Sequence, residues 1–199
     1  MPFFSDSGPG GFEPKRAFRF LISFTELSNL TFMATKAGKP SYEMDVAEHQ
    51  ILNHVFKFPG IIKWSDITVS FVDAMDPNVG SKFYHALLNA GYVNPITQEA
   101  LVTGVTKVQT TRALGEVKIK QLNGGGIILP SGLDPGEVKG AIDATRYIEE
   151  WTLKNAFIKK VAWGELDYGT EDLVNVEVDI TYDYATYTSA PGGTPLPGL

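Results

Sequence analysis

The sequence has no cysteine at all. That excludes a disulfide framework, a thiolate metal site and a cysteine nucleophile, and it suits a reducing compartment. Histidine is scarce: His49, His54 and His85 are the whole supply. The five-residue spacing of His49 and His54 predicts opposite faces of one strand, and zinc sites need more donors than this. No Gly-x-Ser-x-Gly, His-Glu-x-x-His or Walker pattern occurs. Long apolar runs are also missing, the stretch 126–130 being typical and far too short to cross a bilayer. Residues 1–11 show no basic segment followed by an apolar core, so the expectation is a soluble chain without a secretory leader. Without a leader, the glycosylation-like triplet Asn29-Leu30-Thr31 reads as chance.

Basic residues are missing from one region only. From Val161 to the end there are seven carboxylates and no Lys or Arg, which leaves 17 basic against 16 acidic residues in the first 160. A phosphate-gripping patch in the last quarter is thereby excluded. Charged residues are 20% and hydrophobic residues 43% of the 199, ordinary values for a folded domain. Twenty glycines and twelve prolines among many β-branched and aromatic residues favour strands joined by turns.

Patterning along the chain supports this. Residues 1–16, rich in Gly and Pro, read as a flexible arm, residues 17–188 as one domain, and residues 189–199 as a disordered tail. Phe18, Phe20, Ile22 and Phe24 alternate with polar and smaller residues, the period of a half-buried strand. A short strand is expected over 30–36, a projecting loop over 41–48 and an extended segment over 50–58. Pro59-Gly60 predicts a turn, and 64–72 a strand with Ile67, Val69 and Phe71 inward. One helix is predicted, with Asp76 as N-cap, Pro77 at its first helical position and Gly91 just past its end; Val79, Phe83, Leu87 and Ala90 form its apolar stripe. Residues 94–103 read as a projection. Strands are expected over 116–122, 147–158 and 161–164, with a Gly-rich turn at 123–126 and a long loop over 130–140. The clearest strand spans 173–184, with Val174, Val176, Val178, Ile180, Tyr182 and Tyr184 on one face and Asn175, Glu177, Asp179, Thr181 and Asp183 on the other.

Candidate chemistry reduces to structure at each point. Gly124-Gly125-Gly126 lacks the Lys and Ser/Thr of a phosphate loop and opens no helix. Adjacent Glu149 and Glu150 point to opposite faces of a strand. Glu177 and Asp179 lie roughly 7 Å apart by strand rise, a glycosidase-like separation, but nothing nearby raises one pKa selectively. Trp64, Trp151 and Trp163 suggest either a sugar-stacking platform, as in a carbohydrate-binding sandwich, or packing within extended apolar segments. The reading is a non-enzyme without cofactor or metal.

Three late segments carry a resemblance: YIEEWTLKNAFIKKV (147–161), GELDYG (164–169) and LVNVEVDITYDYA (173–185). In order they resemble the closing pattern of the tail tube proteins of contractile-tailed bacteriophages, relatives of the tube of type VI secretion. The opening strand over 18–24, PGIIKWSDITVSFV (59–72) and the helix after Asp76 are similarly placed, so the likeness spans most of 17–186. The resemblance implies an antiparallel β-sandwich or barrel with one flanking helix, six copies closing into rings, and rings stacking into a hollow tube in the virion tail, assembled in the host cytoplasm. Implied partners are further copies of the chain, tail sheath, tape measure, baseplate hub and tail terminator proteins, with DNA passing through unspecifically and no membrane. A tube of a secretion or extracellular injection system is the alternative. Glu177, Asp179 and Asp183 are then candidate lumen residues. Ser41, Tyr42, Glu43 and Asp45, with 94–103, are candidate ring-to-ring contacts.

Overall fold

In a computed structural model, the described residues are 15–27, 30–95, 104–122, 147–169 and 171–189. The predicted arm and tail therefore lie almost wholly outside them, as do the Gly-rich turn at 123–126, the loop over 130–140 and residues 96–103 of the expected projection.

Ten strands and two helices are described. In chain order they are β1 (Phe20–Phe24), β2 (Ala34–Ala37), β3 (Tyr42–Ile51), β4 (His54–Trp64), β5 (Ile67–Val72), α1 (Val79–Asn89), α2 (Lys107–Leu114), β6 (Val117–Leu122), β7 (Tyr147–Lys154), β8 (Phe157–Ala162), β9 (Asn175–Thr181) and β10 (Tyr184–Ser189). They form two four-stranded sheets, β1-β6-β7-β10 and β2-β5-β9-β8, and a separate two-stranded hairpin, β3-β4. All pairings are antiparallel.

The core lies between the sheets. The alternation in β5 buries Ile67, Val69 and Phe71, as predicted, and that in β9 buries Val176, Val178 and Ile180 opposite them. Ile22 and Phe24 of β1 and Val117 and Ile119 of β6 close the core from the other sheet. Phe71 stands between Phe24 and Phe83, with ring centroids 6.0 and 5.3 Å away, so it ties both sheets to α1. Phe18, predicted inward, precedes β1 and is exposed.

Two predicted strands are each divided between the sheets. The 147–158 segment breaks at Asn155 (φ 55°), where β7 leaves one sheet and β8 enters the other. The 173–184 segment breaks at Tyr182-Asp183, and β10 crosses to the first sheet. Inward alternation holds through Tyr182 and fails at Tyr184, which is exposed. Strands that switch sheets at a bend make the corner of a closed sandwich.

The helix prediction is corrected at its start and in number. Asn78, not Asp76, is the N-cap, its side chain accepting from the Ser81 N–H at 2.6 Å. Asp73 helps from outside by accepting from the N–H groups of Val79 and Gly80. Gly91 follows the helix with φ 96°, as expected of the residue past a C-cap. Val79, Phe83 and Ala90 are buried, whereas Leu87 is partly exposed. The unpredicted α2 buries only Leu114. Its sequence signal was a capping pair: Thr106 accepts from the Gln109 N–H at 3.3 Å and also meets the Gln109 side chain.

Gly164 (φ 80°) turns the chain out of β8, and an added Cβ would lie 2.6 Å from the Asn175 carbonyl oxygen. Gly164→Ala should cost about 1–3 kcal/mol, read from urea unfolding. An unchanged midpoint would show that this turn relaxes freely.

Candidate assembly surfaces

The most unusual surface is the β3-β4 hairpin. The sequence reading made 41–48 a loop, 50–58 one extended segment and Pro59-Gly60 a turn; all three belong to this single arm. The chain reverses at Leu52-Asn53, with Leu52 at φ 53°. Pro59 and Gly60 lie inside β4 at a bulge, where Gly60 and Ile61 stand opposite Asp45. A Cβ on Gly60 would come 2.8 Å from the Asp45 carbonyl oxygen, which explains the glycine.

Every residue of β3 is exposed, as is every residue of β4 except Trp64. Val46, Val55 and Ile62 lie on one face and Ile51, Phe56 and Phe58 on the other, all exposed. No third strand borders either edge among the described residues. A lone two-stranded ribbon is marginal in water, and apolar side chains on both of its faces mark a contact surface. Its base is anchored. Trp64 packs on Tyr182 at 6.0 Å and on Tyr42 at 5.5 Å, and Ser65 N–H donates to the Ser41 carbonyl. Lys63 pairs with Asp45 at 2.6 Å, which raises the Lys63 pKa. Of the candidate contact residues, Ser41 is thus at the base and Tyr42, Glu43 and Asp45 lie in β3.

The histidines are also corrected. His49 pairs with Phe56 and His54 with Ile51 across the hairpin, so the two share one face. The turn between them, invisible to a one-strand reading, inverts the parity. Among the described residues no group of three or more His, Cys, Asp or Glu could hold a metal.

The candidate lumen residues separate. Glu177 and Asp179 lie on the outward face of the β2-β5-β9-β8 sheet, and Thr68 donates to Asp179 at 2.6 Å. Lys36 and Lys160 occupy neighbouring register positions on that face, so its charge is balanced, although the only charged groups that β9 itself contributes are carboxylates. Asp183 lies beyond β9 in the crossover. There Lys107 of α2 donates to it at 2.6 Å and Asn155 at 2.7 Å, which holds its carboxyl below the usual range.

Glu149 and Glu150 do point to opposite faces. Glu150 joins Lys118 and Lys120 on the outside of its sheet. Glu149 is buried beside Gln121 and ion-paired to both Lys15 and Lys39. Burial alone would push its carboxyl up, but hydrogen bonds from Lys15 and Lys39 hold it below the ordinary value. Lys39 also donates to Gln121 at 2.6 Å, and Gln121 donates to the Arg16 carbonyl at 2.8 Å. One buried carboxylate thus fastens residues 15–16 and the approach to the hairpin onto the first sheet. The tryptophans form no common platform: Trp64 is at the hairpin base, Trp151 packs on Tyr187 and Trp163 reaches Gly80 of α1.

These features define a two-sheet antiparallel sandwich with two helices and an unpartnered apolar arm. Solved structures similar to this fold include chains of contractile injection systems. A chain of the tube-terminating cap of the anti-feeding prophage matches with TM-score 0.60 and 18% identity, over 96% of this chain and 100% of that one. A chain of the sheath-tube complex of an extracellular contractile injection system, PVC, matches at 0.57 and 16%, over 89% and 93%. A chain of the anti-feeding prophage baseplate matches at 0.54 and 13%, over 89% and 97%. No protein-family model and no curated protein matches the sequence. The mainly antiparallel β fold expected from the resemblance is the fold found, with a second helix added.

Proposed function

We propose that this chain is the repeating subunit of the inner tube of a contractile tail, closing into six-membered rings that stack as a conduit for DNA. The hairpin carries the reading: among the described residues it has apolar side chains on both faces and two open edges, the surface of an arm made to meet another chain. Ring closure would pair strand edges that otherwise invite uncontrolled aggregation. Sheath, tape measure, baseplate hub and terminator proteins are the further partners of such a tube. Electron microscopy of the purified protein should show rings or tubes with an open channel. A strict monomer at high concentration would overturn this function, and glycan binding by that monomer would favour a carbohydrate-binding module.

The outward face with Glu177 and Asp179 is proposed as the lumen wall. With the charges of Lys36 and Lys160 balanced by Glu177 and Asp179, the face would hold passing phosphates only weakly, so DNA would slide. Glu177→Lys with Asp179→Lys should leave tubes intact while strongly impairing DNA delivery; normal delivery through assembled tubes would exclude this face. The extracellular injection systems among the structural likenesses favour a second reading, in which the same tube carries protein. Nucleic acid or protein inside native particles distinguishes the two.

A further inference from the structure

The hairpin and one loop region stand at opposite ends of the β2-β5-β9-β8 sheet. At one end, β5 begins at Ile67 beside the hairpin, and Tyr182, just past β9, packs on Trp64 at the hairpin base. At the other end, β5 finishes at Val72, Asp73 N–H donates to the Val174 carbonyl, and β9 begins. Residues 163–169 and 171–174 emerge there. They hold Glu165, Asp167, Glu171 and Asp172 with no basic residue, and they expose Leu166, Tyr168 and Leu173, of which Leu166 is 89% exposed. Glu165, Asp167 and Asp172 line a cleft of ≈ 370 Å³ together with these apolar side chains.

The distal hairpin complements this surface. Towards the tip, the face bearing Phe56 and Phe58 also carries Ala47, His49, Ile51 and His54, and this distal part has no carboxylate. Its charged groups, Glu43, Asp45 and Lys63, are confined to the base, where Asp45 and Lys63 pair. Imidazole N–H groups donate to carboxylates whether neutral or protonated. Ten residues of β3 extend about 33 Å, more than the six or seven residues of β5 and β9, so the arm spans a neighbouring sandwich.

We infer that the His49/His54/Phe56/Phe58 face of one copy seats on the Glu165/Leu166/Tyr168/Leu173 surface of the next copy. Resting on the tube reading above, this assigns the surfaces of a head-to-tail contact. Because donor and acceptor lie at opposite ends of the same sheet, the contact is heterologous and leaves both free ends competent to add further copies.

Charge exchange tests it. One variant, His49→Glu/His54→Glu, places like charge in the contact. Another, Glu165→Lys/Glu171→Lys/Asp172→Lys, removes the attraction. Each alone should lower the sedimenting polymer by about tenfold or more. Mixed in equal amounts they should restore it to within about twofold, each supplying the surface that the other lacks. All five positions are exposed, and restored assembly requires both variants to be folded. If either variant assembles as the unaltered chain does, or if mixing restores nothing, the assignment is wrong while the tube reading stands. If the unaltered chain itself never assembles, the tube reading falls first.

Discussion

Excising residues 44–62 and joining Glu43 to Lys63 through Asn-Gly should give a folded protein that forms no rings or tubes. Folding survives because, among the described residues, β3 and β4 pair only with each other. The residues that link the arm to the body, Tyr42, Trp64 and Ser41, are retained, and Trp64 still covers Tyr182. Every core side chain lies elsewhere. The unfolding midpoint should therefore stay within a few degrees of the parent. Assembly fails because the excision removes Met44, Val46, Ile51, Val55, Phe56 and Phe58, all exposed in the lone chain. Fully covered, each would contribute about 1.5–3 kcal/mol, enough together to decide association even after the cost of immobilising the partners. Sedimentation and electron microscopy read the outcome; intact tubes from the excised chain would remove the hairpin from the assembly mechanism.

Glu149→Gln should destabilise the fold at neutral pH and flatten its acid limb. The side chain of Glu149 is only 7% exposed, while its partners Lys15 and Lys39 are about half exposed. Water screens the lysines, so the loss should be about 1–3 kcal/mol, below that of a fully buried pair. The sign follows from linkage. The folded carboxyl titrates below its unfolded value of about 4.3, so its contribution is complete above that value and disappears as pH falls through the folded pKa. Asp66, Glu116 and Asp183 act in the same direction, lowered first by hydrogen bonds from Lys159, Lys154 and Lys107. Stability should thus be flat from pH 7 to about 5 and fall below that, with the variant falling less steeply. Chemical unfolding across this range measures it. Parallel acid limbs for the two proteins would show that Glu149 is not a coupled clamp.

The core was legible where one strand stays in one sheet. Ile67, Val69 and Phe71, and Val176, Val178 and Ile180, alternate strictly because one face meets the opposite sheet and the other meets solvent. The arm was illegible for the same physical reason. With no cis face to bury, β3 and β4 carry apolar residues on both sides, and their period-2 signal vanishes. Pro59-Gly60, an ordinary turn signal, there marks a bulge inside a strand. Asn155 and Tyr182-Asp183 were equally hidden, because alternation continues through a bend that changes the sheet.

By itself, then, the sequence determined the β class, the inward residues of β5 and β9, the place of α1 and the lack of cationic charge after residue 160, all set by local periodicity and composition. The tertiary structure alone decided which strands share a sheet, that residues 42–64 form one projecting hairpin and that His49 and His54 share a face. It also decided that Asp183 is engaged by Lys107 and that Glu149 gathers Lys15 and Lys39. Those are pairings between residues far apart in the chain, and no local pattern encodes which distant partner a strand edge or a carboxylate will meet.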